Sequence, residues 1–237
     1  MMNTNKNTVI AASIIALGLF FMGLSVKSGL ENSLKDERIV SVRGLSERTV
    51  PADKVVWPLV YKEVGNDLAT LSKEVGLKNK IIVDYLKSKG ITDEEISIAS
   101  PEIIDLQAER YMSQNVIYRY NLTSVITVSS QQVDLVRNLI SAQGELLDKG
   151  IAIVSSEYDT QVNYLFTGLN DLKPDMIAEA TRNAREAAEQ FASDSDSKLG
   201  KIKTATQGQF SISDRDQYTP YLKNVRVVTS VVYYLKD

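Results

Sequence analysis

Between Asn7 and Val26 the chain runs for about twenty residues without one charged side chain, closed by Lys6 on one side and Lys27 on the other. At 1.5 Å per residue a helix of that length spans roughly 30 Å, the thickness of a bilayer's hydrocarbon core. A helix is also the form in which one isolated segment satisfies its own backbone in hydrocarbon. Nothing later in the sequence is comparably apolar, so the run is a membrane anchor or an export signal, and the remainder of the chain folds in water. The anchor is preferred, because the run is longer than the roughly 7–15 residues of a signal core. The basic stretch ahead of it is also thin, with only Lys6 and the amino terminus. The alternative is a cleaved signal, for which Gly23 and Ser25 supply a G-x-S site. Charge does not orient the segment, since Lys6 is opposed by Lys27, Lys35 and Arg38. A very short tail before a long polar domain places that domain outside the cytoplasm. No cysteine lies beyond the run, so no thioether-linked lipid can be attached there.

Histidine and cysteine are both absent from the 237 residues. Ser-His-Asp and Cys-His catalysis are therefore impossible within the chain, as is a zinc site of the usual Cys/His type, and the commonest general base near neutral pH is missing. An enzyme built on this sequence would have to use carboxylates, a lysine or a bound cofactor. Disulfides are excluded, but 43% apolar and 24% charged residues suffice for an ordinary core. A net charge of −3, with no basic cluster interleaved with aromatics, gives no pull toward nucleic acid.

Past a polar linker, residues 27–37, periodicity predicts the elements. Ile39–Gly44 and Val55–Tyr61 read as strands, with Pro51-Ala52-Asp53 as a turn; Pro58 predicts an edge or a bulge. Asp67 caps a helix carrying Leu68, Leu71, Val75, Ile82 and Leu86, ended by Gly90. Ile96–Leu106 is a strand interrupted by Pro101. Asn115–Val128 alternates most cleanly, with Val116, Tyr118, Tyr120, Leu122, Ile126 and Val128 on one face. Ser129-Ser130 caps a short helix, and a strand restarts at Gly150 with Val154, Tyr158, Val162, Tyr164 and Phe166 in step. Pro174 opens the longest helix, whose stripe is Ile177, Ala180, Ala184, Ala187, Ala188 and Phe191 and whose end lies near Leu199-Gly200. Strands Lys201–Ile212 and Leu222–Leu235 finish the chain, joined by the loop Ser213–Pro220.

The expected class is α+β with antiparallel sheets and helices on one face. Residues 53–166 have the order βαββαβ of a ferredoxin-like unit. Residues 171–237 add αββ, completed by the first strand in residues 38–50, so that the two parts of a domain over 38–237 interleave.

Few constellations carry chemistry. Ser195-Asp-Ser-Lys198 matches S-x-x-K, in which a lysine one helical turn away helps deprotonate a serine. The companion motifs are missing, and a solvated helix end is the preferred reading. Asp194 and Asp196 lack the spacing of a calcium loop. Asp93-Glu94-Glu95 falls in a turn, where solvated charge is expected. Asn121-Leu-Thr123 spells a glycosylation sequon inside a strand. The eleven tyrosines mostly keep step with strand faces, which suits sheet packing better than ligand stacking. No catalytic, cofactor-binding or metal-ligating residues are assigned.

Val42-x-Gly44 leading to Pro51-Ala52-Asp53 resembles the opening of the SIMPL-domain family. The run Ala178-x-x-Ala-Thr-x-Asn-Ala184-Arg-x-Ala-Ala188-x-x-Phe-Ala192, then Leu199-Gly200-Lys-Ile202, resembles that family's alanine-rich helix and Leu-Gly turn. Gln207-Gly208-Gln-Phe210-Ser-Ile212 and Val225-Arg-Val-Val-x-x-Val-Val-Tyr233 look like the versions in bacterial envelope members. The resemblance covers most of residues 39–237. It implies an envelope or periplasmic protein of the kind linked to oxidative-stress defence, one member being a periplasmic immunogenic protein. It also implies a ring- or channel-like homo-oligomer, and no established catalytic residues. The expected function is that of a non-enzymatic, inner-membrane-anchored envelope protein that self-assembles, with a protective or scaffolding role. The rivals are a binding module for an envelope partner protein or polymer, and a hydrolase using Ser195 and Lys198 or a carboxylate pair.

Overall fold

The computed structural model describes residues 4–33, 38–108, 117–154 and 161–237. Within them the chain is α+β with antiparallel sheets. It divides into two compact units, one of Met1–Val42, Arg185–Ala205 and Val231–Asp237, the other of Arg43–Ala184 and Thr206–Ser230.

In the larger unit, β2 (Lys54–Gly65), α2 (Leu68–Ser88), β3 (Ile96–Ile98), β4 (Glu102–Asp105), β5 (Tyr120–Ser130), α3 (Val133–Ser141), α4 (Gly144–Leu147) and β6 (Asn163–Leu165) succeed one another in chain order. Their sheet has the order β3-β5-β2-β6, with β4 also on β5. That is the strand order of the split βαβ unit expected from the sequence. The β2–β5 register sets Trp57 opposite Val128, Leu59 opposite Ile126 and Tyr61 opposite Ser124. Because side chains alternate across a strand, Val55, Trp57, Leu59 and Tyr61 share a face with Leu122, Ile126 and Val128. Leu71, Val75, Ile82 and Leu86 of α2 and Val136 and Leu139 of α3 close over it as one core. Asp67 caps α2 by accepting the Thr70 N–H at 2.7 Å. Gly90, at φ +101°, takes the left-handed conformation that ends it.

Pro58 lies in a strand that has neighbours on both sides. The Val60 carbonyl, in step with Pro58, accepts from the Val154 N–H on the side away from β5. On that side β6 reaches no further than Val56. The proline's missing N–H therefore faces a gap in the ladder, a local edge inside a central strand.

The second sheet has the order β1 (Ile39–Pro51), β9 (Leu222–Lys236), β7 (Lys198–Gln207), with β8 (Ser211–Asp214) also paired to β9. The first and last strands thus meet, as the interleaved order requires. Helix α5 (Leu169–Asp194) packs in the larger unit through Met176 and Ala180 onto Val225 and Val227. Ser46 Oγ donates to Glu179 at 3.0 Å, Arg48 joins the same carboxylate at 3.1 Å, and Asn183 donates to the Leu45 carbonyl at 2.8 Å. In the smaller unit, α1 (Thr4–Ser33) contains the apolar span Thr8–Lys27, none of which is buried against the protein.

Several sequence expectations are corrected. Helix α5 begins at Leu169, not at Pro174. The Asp53 carboxylate accepts the N–H groups of Thr167 and Gly168 at 2.8 Å, which starts the helix upstream. Pro174 then lies inside the helix and cannot donate to the Asn170 carbonyl. The helix's buried seam is Met176, Ala180, Ala184, Ala188 and Ala192, at a spacing of four, and Phe191 is exposed. The helix stops at Asp194, because the Ser197 N–H returns to the Ala192 carbonyl at 2.8 Å with Asp196 at φ 51°. That is a Schellman-type end with aspartate where glycine is usual. Leu199 and Gly200 belong to β7. The strand expected over 201–212 is split at Gly208–Phe210, where Phe210 turns toward the Met176 cluster. The strand expected from Gly150 is, among the described residues, a single bridge at Val154 and the three residues of β6. Strand β5 begins at Tyr120, so Tyr118 precedes it; Asn115, Val116 and Tyr158 lie outside the described residues. Helix α1 continues past Lys27 to Ser33.

Candidate binding groove

The larger unit carries a groove bounded by α3, β6 and the loop between β8 and β9. One compartment, about 310 Å³, is lined by Arg137, Asn138, Tyr164, Tyr218 and Tyr221 among others. A second, about 650 Å³, shares Tyr164 and Pro220 with it and is lined further by Gln161, Asn163, Gln217, Asp214 and Lys223. Both volumes fall in the range of ligand sites, roughly 300–1,000 Å³.

Each wall has a local cause. Pairing of β6 with Lys54–Val56 of β2 fixes Tyr164, half-buried. Helix α3 places Arg137 with its guanidinium 3.6 Å from the ring centre of Tyr221, and Asp134 holds the same guanidinium at 3.1 Å. Tyr164 and Tyr221 meet edge to face, their centres 6.2 Å apart at 72°, a favoured arrangement for aromatic pairs. Burial raises the Tyr164 phenol above its ordinary value, with Arg137 opposing and Tyr221 adding.

The loop is organised by Asp216. Its carboxylate accepts the N–H groups of Tyr218 at 2.9 Å and Thr219 at 2.8 Å, the Thr219 hydroxyl, and Arg215 Nε at 3.0 Å. The Arg215 N–H donates to the Leu222 carbonyl at 2.9 Å, and the Tyr221 carbonyl accepts from Ala52 N–H at 2.8 Å. The loop backbone is thereby tied down, and the Tyr218 side chain stands 82% exposed on it.

Hydrogen bonds to Thr219 and Arg215 lower the Asp216 carboxyl from 3.8 to about 2. Hydrogen bonding likewise lowers Glu95, through Ser130, and Glu179, through Ser46. For such groups the unfolded chain binds protons more tightly than the folded one. Their contribution is complete above the unfolded value and is lost as pH falls through the folded one. Stability is expected to fall between about pH 4 and pH 2, and Asp216→Asn should remove the part of that slope carried by the loop. Thermal melts of both chains across that range check this. An unchanged slope in the variant would remove Asp216 from the account.

The residues singled out in the sequence lie elsewhere. Ser195 and Lys198 do not share a helical turn: the Ser195 hydroxyl donates to the Ala192 carbonyl at 3.1 Å, and Lys198 opens β7, its Nζ 3.4 Å from the Asp237 carbonyl. Asp194 accepts from Gln190 at 2.9 Å. Asp93, Glu94 and Glu95 form a short 3-10 turn. There Asp93 pairs with Lys87 at 2.5 Å, and Glu95 accepts from Thr92 N–H at 2.9 Å and Ser130 Oγ at 2.5 Å. Glu95 is thus spent on joining a turn to a strand end. Asn121 and Thr123 sit in β5. Among the described residues no three or more carboxylates gather as a metal cage. Sequence reasoning misses the groove because it assigns the tyrosines to strand faces. The available signal is Tyr218-Thr-Pro-Tyr221, two rings in a polar loop with no strand period to account for them.

The SIMPL family model, described as a protein of unknown function (DUF541), matches residues 40–231. No curated protein matches the chain.

Proposed function

The chain belongs to the SIMPL family, and from that premise we propose that it is a non-enzymatic protein of the bacterial cell envelope. Residues 7–26 anchor it in the inner membrane, and the domain stands in the periplasm, where it self-assembles and serves a protective, stress-related or scaffolding role. The observation that carries this is the span Thr8–Lys27: twenty residues of mean hydropathy 2.4, none of it packed against the protein. A helix of this length and hydropathy, unburied in the structure, supports the anchor reading.

Two features support assembly. Strands β1 and β7 lie at the outer positions of their sheet, and β7 is exposed along most of its ten residues. The outer strands of a sheet can template pairing with another chain, and closed symmetry is the usual outcome. The expected result for the full chain, extracted from membranes in detergent, is an intact mass that retains residues 7–26. Light scattering should give a protein mass larger than a dimer. A mature terminus near Val26 would reject the anchor, and the mass of a single chain would reject assembly.

The groove favours a second reading, a binding module for an envelope partner or polymer.

A further inference from the structure

The smaller unit has one covered face and one open face. In β9, Val231 and Tyr233 are buried, as are Ala188 and Ala192 of α5, so the helix closes that side. Val232 and Tyr234 alternate to the other side. The Leu235 N–H donates to the Arg38 carbonyl at 2.8 Å, and this antiparallel register sets Ile39 beside Tyr234. A Cβ added to Gly200 would stand 3.1 Å from the Tyr234 Cβ, so Gly200 shares that side, as does Ile202 two places along. Ile39 is 45% exposed and Ile202 51%.

Charge divides between the two sides. The strands and their ends carry Arg38, Lys198, Lys201, Lys203 and Lys236 against one acidic side chain, Asp237, which pairs with Arg38. The helix from Arg185 to Asp194 carries Glu186, Glu189 and Asp194 against Arg185. The Lys203 ammonium comes within 5.6 Å of the Tyr234 ring centre, and Lys236 follows Tyr234 on its side of the strand. Apolar side chains and a tyrosine set among lysines suit the headgroup level of an anionic bilayer.

The chain brings this face to a bilayer. Six residues of α1 follow Lys27, about 9 Å of helix. The five peptide links from Ser33 to Arg38 reach at most about 18 Å. On so short a tether docking is intramolecular, at an effective concentration on the order of millimolar, and weak contacts suffice. A second copy seated face to face would set lysines against lysines, which opposes it.

We propose that this face of the smaller unit docks on the anionic phospholipid surface of the bilayer that holds α1, with Lys203 and Lys236 toward the headgroups and Ile202 and Tyr234 at the interface. The proposal rests on the anchor reading.

The test embeds the full chain in nanodiscs of phosphatidylglycerol or of phosphatidylcholine. The chain contains no cysteine, so Ile202→Cys and, on the helix side, Phe191→Cys each carry a single fluorophore; both positions are exposed. Quenching by headgroup-spin-labelled lipid is expected at 202 and not at 191, in phosphatidylglycerol alone, and high salt should abolish it. Lys203→Gln and Lys236→Gln should each lower the docked-to-free ratio about fivefold. Equal quenching at the two positions, or quenching that ignores lipid charge and salt, would overturn the proposal. A 202 label shielded just as well in detergent, at a mass above one chain, would give the face to a second copy and overturn it too. A chain that fails to stay embedded would reject the anchor and the docking together, whereas an embedded chain with 202 unquenched would reject the docking alone.

Discussion

Gly44→Ala is expected to destabilise the domain more than any other single methyl addition. A Cβ at Gly44 would stand 1.8 Å from the Ala180 carbonyl oxygen, 2.4 Å from the Ala184 nitrogen and 2.9 Å from the Ala184 Cβ. Two of these three atoms are backbone, so no side chain can swing aside. Helix α5 would have to lift off β1, breaking the bonds that join Ser46 and Arg48 to Glu179 and Asn183 to Leu45. Ordinary overpacking costs roughly 1–3 kcal/mol. Here the loss should exceed about 3 kcal/mol, a large share of a typical stability of about 5–15 kcal/mol. Denaturant unfolding followed by the single tryptophan, Trp57, gives the measurement, with an unchanged m-value securing the comparison. A loss below about 1 kcal/mol would mean that β1 and α5 do not meet as described. Ala184→Leu, which crowds the same contact from the helix side, should not add to it.

That contact explains what the sequence made legible and what it did not. Val42-x-Gly44 and the alanines of α5 are readable as a resemblance because a backbone-to-backbone approach tolerates only glycine on one side and alanine on the other. The strand order of the first sheet is readable because β2 and β5 alternate and α2 carries both its cap and its stop. The ends of α5 are not. Its start is set by Asp53, more than a hundred residues away in sequence, and its stop by an aspartate in a conformation that a reader assigns to glycine. Phe191 has helical spacing but falls outside the buried seam, because a seam held at four-residue steps by close approach is narrower than an ordinary apolar stripe. Of the strand expected from Gly150, the described residues show two separate pairings with β2, a bridge at Val154 and the three residues of β6, and such pairing is a long-range property. The groove combines three distant segments, α3, β6 and the Asp216 loop, none of which carries a motif alone. Its only local trace is two tyrosines in a loop otherwise built of polar residues.

Tyr61 separates packing from hydrogen bonding in the core of the larger unit. Among the described residues it is the largest fully buried side chain, 1% exposed. Its hydroxyl lies 2.7 Å from Asn79 Oδ1 and 3.0 Å from the Val75 carbonyl, and burial raises the phenol above its ordinary value. Tyr61→Ala removes the ring from contact with α2 and should cost about 3–5 kcal/mol, the range for buried aromatics. Tyr61→Phe keeps the ring and removes one donor. Asn79 Oδ1 still accepts from Ser124 Oγ at 2.9 Å, so no buried acceptor on that side chain is orphaned. The loss should be near 1 kcal/mol, about that of a single net hydrogen bond. Trp57 lies on the same strand face two places along in the alternation, 2% exposed, and reports the unfolding of this core in both variants. If phenylalanine costs as much as alanine, the hydroxyl network through Asn79 and Ser124 holds α2 on the sheet, and the apolar face contributes less than its burial implies. The expected threefold or larger gap places the weight on the packed ring, with the hydroxyl fixing its orientation.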